Sequence, residues 1–257
     1  MTDQESLPPA SNGDTPSPSH HELSHFSPTS PCFSPTHIAN SLTKMICQRH
    51  STRSFLPTPV PTPLLESVLT LAQHTPSNSN LQPWRLHIAT GAALSRLSAA
   101  LLAAAQRGDT QAVAPIPDEY RHYRSELGHQ LYGPQGYNIT RTDKEAARAA
   151  QLRNYRFFDA PVGVVVCMDG RLAQIDALSV GMYLQTLCLL LAERGLGTCV
   201  AVSTVAYPEV VRAELGIGGD MVLLTGLAVG YEDEGGLVNG LRVKRDAWRD
   251  CVTFVEE

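Results

Sequence analysis

Two arginines flank a hydroxyl-bearing stretch in Arg49-His50-Ser51-Thr52-Arg53-Ser54-Phe55. Guanidinium forks match phosphate oxygens in geometry and charge, and a serine between them adds a neutral hydrogen bond. The stretch can grip a phosphate; the same residues also describe a basic, solvated helix end. A second polar run, Pro76-Ser77-Asn78-Ser79-Asn80-Leu81-Gln82-Pro83-Trp84, sets hydroxyls and amides around a rigid Pro-Trp lead-in to a strand. Amides donate and accept together, which suits the polar edge of a heterocycle or a polyol chain. An Asn/Ser turn that satisfies its own backbone is the competing account. A third stretch, Asn239-Gly240-Leu241-Arg242-Val243-Lys244-Arg245, supplies two more arginines. Arg242 and Arg245 can complete a clamp begun by Arg49 and Arg53, or form a basic surface turn.

The elements that must position these residues follow from periodicity. Ile38 to His50 places Ile38, Leu42, Met45 and Ile46 on one helical face. Thr62-Pro63 reads as an N-cap and first-turn proline opening a helix to about His74. Trp84 to Thr90 reads as a strand and Ala92 to Arg107 as a helix. Residues 108–143, rich in Tyr, Gly and Pro, promise only short helical pieces and a substrate-facing excursion; Tyr120, Tyr123, Tyr132 and Tyr137 fall in it, as pocket lining or as packing. A helix from Lys144 to Tyr155 precedes the apolar run Val162–Met168, which suits a strand buried on both faces. Ile175 to Arg194 is a helix apolar almost all round, stopped by Gly195; one sheet cannot cover it, which points to a subunit interface. Strands follow at Thr198–Ser203 and Met221–Val229, with a helix from Pro208 to Leu215 between them and a last strand at Cys251–Val255. Gly195-Leu196-Gly197 is no dinucleotide fingerprint, because it follows a helix and precedes a strand, the reverse of the required order.

Residues 1–36 differ from the rest. Seven prolines among Ser, Thr and His, with few large apolar side chains, describe a disordered tail, whose Ser-Pro and Thr-Pro steps are also possible modification or docking sites. The 257 residues, 43% hydrophobic, suit one domain from 37 to 257 behind that tail. A formal charge of −5 argues against a nucleic-acid partner. Six scattered cysteines, without a CxxC pair or zinc spacing, point to reduced thiols in the cytoplasm and to no metal. No secretory signal opens the chain. The longest apolar run, Ala177–Ala192, is broken by Ser179, Gly181, Gln185 and Thr186, which argues against a membrane span.

The succession RHSTRSF, PSNSNLQPW, ERGLGTC and NGLRVKR, in this order between about residues 44 and 255, resembles the nitroreductase family of FMN-dependent oxidoreductases. The Phe157-Phe158-Asp159-Ala160-Pro161 step before an apolar strand is similar too, and the long middle segment resembles the nitrobenzoate-reductase branch. The resemblance implies an α+β fold with a central, mostly antiparallel sheet flanked by helices, in an intertwined homodimer with flavin sites at the subunit interface. It implies FMN as cofactor and NADH or NADPH as electron donor. Small oxidised acceptors such as nitroaromatics or quinones would be reduced in a ping-pong scheme. Arg49, Ser51 and Arg53 would hold the phosphate, with His50 in the same motif. Ser77, Asn80 and Gln82 would hold ribityl and ring atoms, from the partner subunit in homodimers. Arg245, or next Arg242, would close on the phosphate. Backbone amides at Val202 and Ser203 would face the pyrimidine edge, Val202 reaching N5. Many relatives have a large residue, or an acidic residue and glycine, where this chain has Val200-Ala201-Val202-Ser203; a main-chain contact tolerates the change. The reactive centre is FMN N5, and no catalytic side chain is assigned. Two alternatives share these residues: an FMN-dependent dehydrogenase or oxidase of a specialised metabolite, and a non-catalytic flavin-binding or regulatory protein.

Overall fold

The computed structural model describes residues 42–256. The tail expected over 1–36, the start of the first helix at 38–41, and Cys32 lie outside the described residues. Four strands, β1 (Arg85–Thr90), β2 (Val162–Asp169), β3 (Gly197–Ala201) and β4 (Met221–Gly230), form one sheet in the order β1-β2-β4-β3. Each neighbouring pair is antiparallel. The α+β class and the antiparallel sheet implied by the resemblance are therefore present.

The unbroken apolar run of β2 is explained by its cover. Val162, Val164, Val166 and Met168 pack on α2 (Thr62–Ala72) and α6 (Gln174–Glu193). Val165 and Cys167 face the opposite layer, built from α3 (Gly91–Arg107), α7 (Pro208–Leu215) and the turns at 153–159. With successive side chains on opposite faces, a strand covered on both sides needs an apolar residue at every position. Each such Val or Leu contributes about 1.5–3 kcal/mol when fully buried. α6 ends at Gly195, whose φ of +75° lies where glycine alone is unstrained. Ile175, Leu178 and Met182 of α6 are exposed, so one chain leaves this helix an uncovered apolar stripe.

Several expectations are corrected. Residues 108–143 contain a full helix, α4 (Arg121–Tyr132), after the short α1 (Leu42–Gln48) and before α5 (Lys144–Leu152). α4 buries no residue, so it carries no hydrophobic period from which a helix could be read. The N-cap of α2 is Pro61, not Thr62. β3 stops at Ala201, and Val202 to Val205 form a tight 3-10 turn. Residues 251–255 form no strand here; Phe254 and Val255 are exposed, so the segment has no sheet edge to join within one chain.

The step into β2 is strained. Phe157, Phe158 and Asp159 all have positive φ, between 51° and 65°. Left-handed backbone costs a residue with a Cβ roughly 1–2 kcal/mol. Both rings are almost fully buried, which offsets that cost, and Arg153 and Arg156 hold the Asp159 carboxylate at 3.4 and 2.6 Å. Phe157→Ala keeps the strain and discards the burial. It should lower the unfolding free energy by about 3–5 kcal/mol, measured as a shift of the urea midpoint.

Candidate functional site

The arginine–serine segment is added to the outer edge of β3. Ser51 forms a parallel bridge with Thr198, and the Thr52 N–H donates to the Thr198 carbonyl at 2.9 Å. Beyond it the chain turns along 231–233: the Leu56 N–H donates to Tyr231 O at 2.9 Å, and the Asp233 N–H to Ser54 O at 3.0 Å. Thr52 is buried against Gly197, where an added Cβ would lie 2.5 Å from Thr52 Oγ1. Only a glycine lets the two segments approach so closely. Asn239 closes the arrangement. Its Oδ1 accepts from the N–H groups of Arg53 (2.7 Å) and Ser54 (3.1 Å), and its Nδ2 donates to Ser54 O (2.7 Å) and Asp233 O (3.0 Å).

The segment presents two faces. Arg49, His50 and Thr52 reach a cavity of about 790 Å³ that Arg242 also lines, together with Glu232 and Glu234. His50 is engaged there, with Nε2 3.1 Å from Glu232 Oε1 and Nδ1 2.9 Å from Gln48 O. Ser51 and Arg53 stand instead beside Cys199. Burial pushes that thiol up against the pull of the Arg53 charge, a hydrogen bond with Ser51 and the more distant Arg49. Arg49 thus serves both faces. The larger space carries two carboxylates, which oppose a phosphate dianion, so the Ser51–Arg53 face has the better electrostatics for one.

The remaining candidates separate. The Arg242 guanidinium donates to Asn239 O at 2.7 Å and to Leu241 O at 3.1 Å, on the wall of the cavity that Arg49 also lines. Arg245 is exposed and folds back on Val243 O and Lys244 O at 2.9 and 3.3 Å. Val202 and Ser203 begin the turn after β3, four residues beyond Thr198, or about 13 Å at strand rise. Val202 opens on a second cavity of about 460 Å³, walled by Ala112–Ala114 and Met221–Leu224. Gln111 pins that wall, donating from Nε2 to the Tyr155 and Tyr207 hydroxyls at 3.0 and 3.5 Å, while the Ala112 N–H donates to Ala206 O. Burial, with the Tyr207 hydrogen bond, pushes Tyr155 up to about 12, so it is a neutral phenol at working pH.

The polar loop lies elsewhere. Ser77 Oγ accepts from Gln82 N at 3.0 Å and Gln82 Nε2 donates to Asn80 O at 3.1 Å, so much of it satisfies its own backbone. Yet Ser79, Asn80 and Gln82 are all left-handed, held so by Asn78, which donates to Asp176 Oδ1 and Ser179 Oγ in the first turns of α6. The arginine cavity touches the other end of that helix, at Ala192 and Gly195. Twenty helical residues span about 30 Å. One chain therefore does not bring Ser77, Asn80 and Gln82 to Arg49, Ser51 and Arg53.

A model of the nitroreductase family matches residues 46–231. The chain is 32% identical over 222 residues to a 4-nitrobenzoate reductase of Pseudomonas putida, covering 85% of this chain and 97% of that one. Among solved structures it is similar to the FMN and NADPH-dependent nitroreductase NfnB of Sphigopyxis sp. strain HMH, with TM-score 0.80, 32% identity, and 84% and 100% of the two chains covered. It is also similar to the FMN-dependent nitroreductase NfnB of Mycobacterium smegmatis in complex with NADPH, with TM-score 0.76, 30% identity, and coverage of 83% and 97%.

Asn239→Ala would leave two half-buried N–H donors and two carbonyls without this partner at once. The expected loss is roughly 2–4 kcal/mol of stability, with faster hydrogen exchange at Arg53 and Ser54. Asn239→Asp keeps the acceptor for those two amides and should retain their protection better than the alanine variant.

Proposed function

The chain belongs to the nitroreductase family, and on that premise we propose that it is an FMN-dependent oxidoreductase passing electrons from NADPH or NADH to small oxidised acceptors such as nitroaromatics or quinones. The observation that carries the reading is the seating of Ser51 and Arg53 at the start of β3, whose far end leads to Val202 and Ser203. A phosphate grip and a pair of backbone amides thus sit at two ends of one rigid strand. The residues fit the cofactor: guanidiniums and a hydroxyl at one end, main-chain groups at the other, and a buried phenol without a partner nearby at Tyr137.

Bound FMN would supply the redox chemistry that links nicotinamide donor and oxidised acceptor. Arg49 and Arg53 neutralise the phosphate, and Ser51 adds a donor. Backbone amides at Val202 and Ser203 would face the ring and favour negative charge there. Rigid placement on β3, rather than an acid or base, is the chain's contribution, and solvent supplies the proton.

A homodimer completes the site. Ile175, Leu178 and Met182 make α6 an apolar face in need of cover. An isologous pairing of α6 with its copy, antiparallel about a two-fold, sets the first turns of one helix beside the last turns of the other. Ser77, Asn80 and Gln82 of the partner subunit then approach Arg49, Ser51 and Arg53. The exposed segment at 251–255, with Phe254 and Val255, is free to intertwine with the second copy. The cysteines among the described residues are free, which fits a cytoplasmic enzyme.

Replacing both Arg49 and Arg53 by Ala should weaken FMN binding about 100-fold or more, since two charge-assisted contacts are lost; fluorescence titration of the flavin reads this. An unchanged affinity contradicts the phosphate assignment. Leu178→Asp should give a monomer by light scattering and lose FMN affinity with it. A dimer that persists, or a monomer that binds FMN normally, contradicts the shared site.

A further inference from the structure

Among the described residues, three side-chain hydroxyls are buried without a hydrogen-bond partner: Thr52, Thr75 and Tyr137. Thr52 is spent on packing against Gly197, and Thr75 lies beyond the end of α2. Tyr137 differs, because cationic groups surround it. The Arg153 guanidinium lies 5.8 Å from its ring centroid, and the charges of Arg153 and Arg53 both reach its hydroxyl, as does the Cys199 thiol. Burial outweighs those charges and keeps Tyr137 a neutral phenol, able to donate.

The turn that carries the half-buried Tyr137 is tied down by its backbone. The Tyr137 N–H donates to Leu131 O at 2.7 Å, the next two N–H groups donate to Gly133 O and Tyr132 O at 2.9 and 2.8 Å, and the Tyr137 ring lies 6.2 Å from that of Tyr132. Gly136 lets this turn close, because a Cβ there would lie 2.0 Å from Leu131 O. Arg153 is braced in turn by Asp159 and the Phe158 carbonyl. The turn therefore holds a donor inside the protein near Arg53, where nothing among the described residues accepts it. Such a group costs free energy unless a ligand supplies the acceptor.

We propose that the Tyr137 hydroxyl donates a hydrogen bond to an acceptor oxygen of the FMN held by Ser51 and Arg53, as a positioning contact outside the four motifs. The inference rests on the FMN reading above. It places the middle excursion at the cofactor and gives Arg153 the task of orienting Tyr137.

The test is Tyr137→Phe in the full chain, which deletes the donor alone. FMN affinity should fall about tenfold, while the melting temperature of the FMN-free protein stays equal to the wild type or rises. A structural hydroxyl would give the opposite pattern: a lower melting temperature without FMN and an unchanged affinity. Wild-type affinity in the variant overturns the proposal while leaving the FMN reading intact. Failure of the wild-type protein to bind FMN at all overturns both.

Discussion

Asn239 is 2% exposed, and its side chain makes four hydrogen bonds, all to the backbone of Arg53, Ser54 and Asp233. The amide joins two stretches 185 residues apart in the chain. It does so with both of its functions used, since a carboxylate could not donate and an amine could not accept. The consequence reaches past the contact itself. With the backbone of Arg53 and Ser54 fixed, Ser51 can bridge to Thr198, and the arginine pair is carried on the sheet rather than on a loose loop. Gly197 is the other half of the constraint, because any larger residue would lift Thr52 off β3.

α6 sets the second constraint. Its buried face, with Tyr183, Leu187 and Leu191, covers the sheet, while its outer face stays apolar and exposed. The same helix holds the polar loop at its start and borders the arginine cavity at its end. A single copy keeps these groups about a helix length apart. Core packing and the distance between the two groups are thus both results of one apolar, twenty-residue helix, and the proposed pairing of two copies follows from its uncovered face.

Much of this was legible where burial imposes a pattern. β2 declares itself because both of its faces are covered, and α7 spans the expected Pro208–Leu215 because proline opens it and a left-handed glycine closes it. Residue type alone left Arg49, Ser51 and Arg53 open between a phosphate grip and a solvated helix end, and the resemblance to the family favoured the grip. What was not legible lacks such a pattern. α4 buries nothing, so its sequence carries no period. The left-handed turn at Phe157–Asp159 is held by tertiary burial against local preference. Asn239 stood first in a motif noticed for its arginines, and its role depends on a partner far along the chain. Tyr137 was one of four tyrosines in the excursion, and only its orphaned hydroxyl beside Arg53 distinguishes it from Tyr120 and Tyr123, which are exposed.

The central claim is that a strand-mounted arginine–serine grip holds a flavin that exchanges electrons with a nicotinamide. The most direct measurement is the visible spectrum of the purified, FMN-loaded protein, titrated with NADPH and then NADH in the absence of oxygen. The account predicts a flavin absorption band that bleaches with at least one donor and returns on adding a nitroaromatic. A protein that takes up no FMN, or a loaded flavin that neither donor bleaches, would contradict it.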